Sequence, residues 1–287
     1  MYYYTVEVAT ALSVMFIASA QDLKEREVSD ILWIAGGAVA FFLLFLEMAT
    51  SYFPVKAQDY FIPLLLLFLY LDIFIEWENI RGGKFLRYIL GVLLGAGSIY
   101  ALLFYFNVYA AVLAGMVAWY FFIVLLYRYD FIKGGADAKA LIFLLILFPI
   151  YPVALDGLRP PLYVSVTFPL FLSVLLFGAL LTLAIPIYNF VLNLFRGDGE
   201  FPHMFLGFRK PVAAVDLNRE WLLEVPGEGG ERVRVRKLGA GNDSLELENI
   251  RKLGWNRVWV SPKIPFIVPL TAGLLLVLVF GTFVSFL

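Results

Sequence analysis

Runs of about twenty apolar residues recur from one end of this chain to the other, and they leave few folds open. A helix needs roughly 20 residues to cross the hydrocarbon of a bilayer. Eight stretches have that character: 6–20, 28–50, 59–75, 85–106, 108–127, 137–151, 162–195 and 264–287. With 62% hydrophobic residues, the chain lies well above the roughly half-apolar composition of soluble domains. The expected fold is all-α, a polytopic bundle of about eight transmembrane helices. The seventh stretch is longer than a bilayer requires, and Pro169 and Pro186 are expected to kink or break it, leaving an interfacial tail. The soluble residues concentrate in 196–262, which reads as a small cytoplasmic α/β insert. There Glu231-Arg232-Val233-Arg234-Val235-Arg236 alternates like a strand, Asp243-Ser244-Leu245-Glu246 opens a capped helix, and Arg257-Val258-Trp259-Val260 makes a second strand. The domain division is therefore 1–195 (about seven helices, carrying the chemistry), 196–262 (insert) and 263–287 (last span).

Charge and residue usage exclude several classes. The net charge is −1 and no basic tract suggests nucleic acid. The absence of cysteine excludes disulfides, iron–sulfur clusters and cysteine-based zinc sites, and the single histidine, His203, argues against a histidine-rich metal centre. No cofactor is expected. Met1-Tyr2-Tyr3-Tyr4 carries no basic leader, so the first apolar run reads as a retained span and not as a cleaved signal. With the N-terminus outside, of the 22 Lys and Arg residues only Lys56 and Arg159 fall on the outer side. The positive-inside rule selects that orientation, with both termini outside.

The same topology brings two carboxylates to one membrane depth. Asp22 ends the first span and Asp137 starts the sixth, both at the inner face. A carboxylate at the mouth of a membrane helix is costly and asks for a reason. Two carboxylates held close together cannot both ionise easily, so at neutral pH the pair can share one proton. The charged member can then activate water while the protonated member polarises a peptide carbonyl, with no metal and no nucleophilic side chain. Gly134 and Gly135, just before Asp137, offer unusual torsions and close backbone approach to an extended substrate.

Both segments carry a family likeness. Asp22-Leu23-Lys24-Glu25-Arg26-Glu27-Val28-Ser29-Asp30-Ile31-Leu32 resembles the first motif of prepilin peptidases: an aspartate at a helix end, a polar and basic loop, then the start of the next helix. Gly134-Gly135-Ala136-Asp137-Ala138-Lys139 resembles their second, GxGD motif. The likeness is best to archaeal preflagellin and prepilin peptidases, aspartic proteases of the membrane. It implies cleavage of class III signal peptides from pilin- and archaellin-like precursors, with Asp22 and Asp137 catalytic and Gly134, Gly135, Ala136 and Lys139 shaping the site or binding substrate. Ala136 stands where the family has glycine, and Ser29 where bacterial members often carry proline. The cysteine-rich cytoplasmic segment of many bacterial members is missing, and with it any case for zinc or for N-methyltransferase activity.

Simpler readings stand beside these. Taken alone, Asp137 is a helix N-cap and Asp22 a solvated loop acid; motif and shared depth favour the pair. Asp72 is a rival partner or a helix-pairing acid near Glu76 and Glu78. Asp130 follows Tyr129 but lies only seven residues before Asp137. Glu47 reads as interfacial. Lys139 orients Asp137, binds a substrate carbonyl, or snorkels. Glu25 and Glu27 form a solvated link or attract a basic leader. His203 and the tryptophans Trp33, Trp77, Trp119 and Trp259 read as interfacial, and Gly91, Gly95 and Gly97 as a close-packing stripe. Two other function classes remain: an ion- or proton-coupled transporter using Asp22, Asp72 and Asp137, and a non-catalytic scaffold that binds pilin-like helices.

Overall fold

The computed structural model describes residues 2–50, 56–132, 134–152, 162–227, 229–234 and 242–283. Pro54, Lys133, the loop 155–161 with Arg159, and residues 235 and 236 of the alternating run lie outside these. The described chain is mostly helical. In order it forms α1 (Tyr2–Glu25), α2 (Asp30–Thr50), α3 (Phe61–Asp72), α4 (Gly83–Phe104), α5 (Val108–Arg128), α6 (Gly135–Leu147), α7 (Leu162–Thr167), α8 (Leu170–Thr182), α9 (Ala184–Arg196) and α10 (His203–Leu206). Then follow β1 (Phe208–Pro211), β2 (Glu220–Leu222), β3 (Glu224–Pro226), β4 (Arg232–Arg234), α11 (Asp243–Lys252), β5 (Arg257–Pro262) and α12 (Ile267–Phe280). Two compact units result: residues 1–179 with 265–287, and residues 180–264.

Among the described residues five helices are long and apolar enough to cross a bilayer, not eight: Tyr4–Glu25, Asp30–Thr50, Gly83–Phe104, Val108–Arg128 and Leu170–Arg196. The third, sixth and last expected spans appear as α3, α6 and α12, with 12, 13 and 14 residues. At 1.5 Å per residue these measure about 18–21 Å, short of the roughly 30 Å hydrocarbon. The reason is clearest at α6. It is apolar all round, and Ala140 to Leu147 are all buried. Packed by α1, α2, α5 and α12, it meets protein on every side and need not match the lipid thickness.

Small residues let the helices of this unit approach closely. A Cβ on Gly36 of α2 would lie 3.1 Å from Val14 of α1 and 3.2 Å from Phe143 of α6, so three helices converge there. Gly37 gives its space to the ring of Tyr70, whose hydroxyl donates to the Trp33 carbonyl at 2.5 Å. Gly273 of α12 faces the backbone of α8 at Val174 and Gly178. Of the expected stripe on α4, Gly97 packs under Phe61 and Gly91 touches Phe68 at 3.5 Å, whereas Gly95 faces open space. Asn107 turns the chain into α5, its Oδ1 accepting from Ala110 N at 2.7 Å. The tryptophans expected at the membrane surface have protein partners. Trp33 sits in the core against Phe143, Trp119 donates to the Val166 carbonyl at 2.7 Å, and Trp77 donates to Asp72 at 2.7 Å.

The second unit is built on an antiparallel sheet of order β1-β5-β2, with β3 and β4 forming a separate hairpin. The strand expected at 257–260 is its central strand, β5, and Val258, Trp259 and Val260 are fully buried. Of the alternating run, Arg232–Arg234 forms β4. The helix expected from Asp243 is present as α11, but the cap is Asn242, whose side chain accepts from Leu245 N. His203, expected at the interface, is buried against Trp259, ring centroids 5.5 Å apart. The burial of Trp259 follows from its place on the middle strand, which sequence spacing alone does not give.

These contacts make Gly37 and Gly95 a matched pair. Gly37→Ala would force a methyl group into the hydrogen-bonded Tyr70 ring, a loss of about 1–3 kcal/mol by overpacking. Gly95→Ala adds a methyl in open space and removes the helix penalty of glycine, a gain of up to about 1 kcal/mol. Thermal unfolding in detergent is expected to place Gly37→Ala below, and Gly95→Ala at or above, the parent protein.

Candidate active site

The end of α1 is shaped before any chemistry is considered. Arg26 N–H bonds back to the Asp22 carbonyl at 3.1 Å, with Arg26 at φ 62° in the left-handed region where non-glycine residues are uncommon. Gln21 Oε1 accepts from Ser29 N at 3.0 Å and ties the start of α2 to the end of α1. Asp22 is half-buried on the last turn of α1. Its carboxylate interacts with the backbone N–H of Ile267, the first residue of α12. A helix N-terminus presents unpaired N–H groups and partial positive charge, so it suits a carboxylate. The register that makes this meeting possible is fixed one turn away, where Ser19 Oγ and Thr271 Oγ1 share a hydrogen bond of 2.7 Å and Thr271 Oγ1 donates to Met15 O at 3.2 Å.

Asp137 occupies the third position of α6, with Gly134 as N-cap. Its carboxylate folds back onto the backbone N–H of Gly134, one half of a capping box. Gly134 is in ordinary extended conformation, φ −92° and ψ 127°, so unusual torsions are not why glycine stands there. The reason is space: a Cβ on Gly134 would overlap Asp137 Oδ2 and sit 2.9 Å from its Cγ. Gly135 carries no such demand, since a Cβ there would meet only Tyr127 Oη, at 3.7 Å. Ala136 packs on the core. Lys133 lies outside the described residues.

Asp22 lies within electrostatic reach of Asp137, and α1 packs directly on α6. Lys139 does not turn to Asp137. It bonds Asp30 at the start of α2, Nζ to Oδ1 2.5 Å, and lies over the Phe74 ring at 5.1 Å. That ion pair joins the downstream ends of the two sequence motifs, 109 residues apart. Asp72 is elsewhere engaged, accepting from Arg87 and from Trp77 at 2.7 Å each. Asp130 lies in the turn after α5 at φ 60°. The sequence reading missed α12 as a support for Asp22. The available signal was Thr271, a hydroxyl in an otherwise apolar helix, and Ser19, one turn before the aspartate.

Chemically, the arrangement offers two half-buried carboxylates on different helices, each steadied by a backbone N–H. Such a pair can hold one proton between its members and activate water against an electrophile.

Comparison with known proteins adds two findings. Residues 200–283 match the family described as Archaeal Peptidase A24 C-terminus Type II, a region that includes α12. A preflagellin peptidase from Methanococcus voltae is 29% identical over 143 residues, covering 48% of this chain. The chain spans 59% of the length of that relative. Both findings support the likeness to archaeal preflagellin peptidases that the two motifs carry.

The glycine geometry yields a stability test. Gly134→Ala is expected to displace the Asp137 carboxylate from the N–H it caps, a loss of about 0.5–2 kcal/mol as for other N-terminal caps. Gly135→Ala is expected to melt with the parent protein in detergent.

Proposed function

We propose that this chain is a membrane aspartic endopeptidase of the preflagellin and prepilin peptidase type, which removes short basic leaders from pilin- and archaellin-like precursors. The observation that carries this reading is that Asp22 and Asp137, from two motifs remote in sequence, stand at the ends of packed helices within electrostatic reach of each other. The similarity to an archaeal preflagellin peptidase supports the substrate class.

In this reading the protein is multi-pass in the cell membrane, α3, α6 and α12 crossing it as short helices enclosed by the others, with both termini outside and the dyad at the cytoplasmic face, as the distribution of Lys and Arg indicates. The apolar helix of the precursor lies in the bilayer and its basic leader stays in the cytoplasm. The charged member of the dyad takes a proton from water, which attacks the scissile carbonyl. The protonated member donates to the carbonyl oxygen, and a proton is returned to the departing amine. The dyad titrates as a unit, so the roles belong to the pair. Gly134 keeps the Asp137 carboxylate in place, and the Asp30–Lys139 pair holds α2 against α6. The rival transporter reading needs Asp72 as a third site; its bonds to Arg87 and Trp77 give it a structural occupation instead.

Leader cleavage in membranes tests this directly, by co-expression with a basic-leader precursor and following the size shift. Asp22→Asn and Asp137→Asn, at unchanged protein level, are each expected to lower cleavage by at least about 10²–10⁴-fold. Asp72→Asn is expected to retain it. Cleavage that survives Asp22→Asn would break the proposed pairing, and equal function of all variants would leave a scaffold. Gly134→Ala is expected to lose cleavage while Gly135→Ala keeps it. Because one carboxylate must be charged and its partner protonated, the rate is expected to be bell-shaped against pH.

A further inference from the structure

The helix α9 is built inside out. Ile187, Tyr188, Val191, Leu194 and Phe195 form one exposed stripe at helical spacing, with Phe195 87% exposed, and Phe201 beyond the helix is 79% exposed. The opposite, inward face carries amides: Asn193 is fully buried and Asn189 nearly so. Asn193 Nδ2 donates to the carbonyls of Met204 at 2.9 Å and Gly207 at 2.7 Å, and Asn189 Nδ2 donates to Phe205 O at 3.4 Å. These bonds satisfy carbonyls at the end of α10, a helix of only four residues. Phe190 stacks on Phe205, centroids 4.8 Å apart. The polar inward face thus has a structural reason, and the apolar outward face has none among the described residues of this unit.

Two constraints fix what covers that face. Beside α9 lies a network of charges: Arg209 bonds Glu200 at 2.6 Å and approaches Asp198 at 3.8 Å, and Arg257 approaches Asp198 at 3.4 Å. Such a network is too costly for hydrocarbon. An apolar stripe of this extent is equally out of place in water. In addition, α9 continues the apolar stretch of α8, the two together running from Leu170 to Arg196. An apolar stripe with charges beside it belongs where acyl chains meet headgroups. Arg196 is exposed there, and Gly197, at φ 72°, ends the helix.

We propose that the outward face of α9, extended by Phe201, is a lipid-binding surface that seats residues 180–264 on the bilayer interface, its ligand the acyl-chain and headgroup boundary of the membrane. Tyr188 suits that boundary, with an apolar ring and a polar tip, and Arg196 reaches the headgroups. Continuity with a membrane span favours lipid over a second copy of the chain as the occupant.

The chain has no cysteine, so single-cysteine reporters need no prior engineering. The full-length protein would be reconstituted in phosphatidylcholine and phosphatidylglycerol vesicles with a spin label at position 187, 191 or 195. Controls would be Leu93 on the exposed face of α4 and Glu248 on α11. Collision with oxygen is expected to exceed collision with a water-soluble nickel chelate by several-fold at 187, 191 and 195, as at Leu93 and opposite to Glu248. Position 195 is expected to lie shallower than Leu93. Nickel-dominated collision at the three positions would overturn the proposal, as would poor access to both probes, which would mean that protein covers the face. A depth at 195 equal to that of Leu93 would overturn the interfacial seat. Leader cleavage is not a readout in any arm, so the outcome is independent of the proposed activity.

Discussion

The burial of α6 is the constraint on which the first unit depends. A helix apolar on every side can be stable only if it is enclosed, and α1, α2, α5 and α12 enclose it. Enclosure explains why it is shorter than a span. It also fixes where its N-terminus opens, and so where Asp137 stands. The neighbouring helices then need small residues at the crossings, and Gly36 is where α1, α2 and α6 converge.

Around the mouth of α6 the polar groups are arranged by backbone as much as by side chains. Asp137 is held by the N–H of its own N-cap, and Asp22 by the first N–H of α12. Helix ends supply donors that do not move, which suits the carboxylate pair of the proposed mechanism. The Asp30–Lys139 pair adds a tie between α2 and α6, but with Asp30 about half exposed its energetic weight is small. Its value is positional. The second unit follows another logic, in which a central strand is buried and α9 turns its amides inward to complete a four-residue helix.

Much of the site was legible in the chain. Asp22 and Asp137 stand out because carboxylates are rare at the ends of apolar spans, and the glycines beside Asp137 mark a close approach. The part that was misread concerned cause. Glycine at 134 was expected for its torsions and for close approach of a substrate backbone, yet its φ is ordinary and the space it leaves is taken by the Asp137 carboxylate. Lys139 was open to three roles, and only packing of α2 on α6 puts Asp30 within its reach. The tryptophans read as interface markers because an indole is amphipathic; Trp33 and Trp259 instead fill cores created by neighbours far along the chain.

The sequence by itself determined the class of the protein. Apolar runs of this length admit only a bundle of membrane helices, and the motif residues name the two carboxylates worth pairing. It also determined the start of α5 and the strand character around residues 257–260, because caps and alternation are local. Tertiary structure alone decided that three apolar stretches would be short helices, since that depends on whether a helix meets lipid or protein. It alone brought the N-terminus of α12 to Asp22, a contact across some 245 residues that rests on the hydrogen bond between Ser19 and Thr271. Hydropathy reports the solvent a segment prefers, and only packing specifies the partner it finds there.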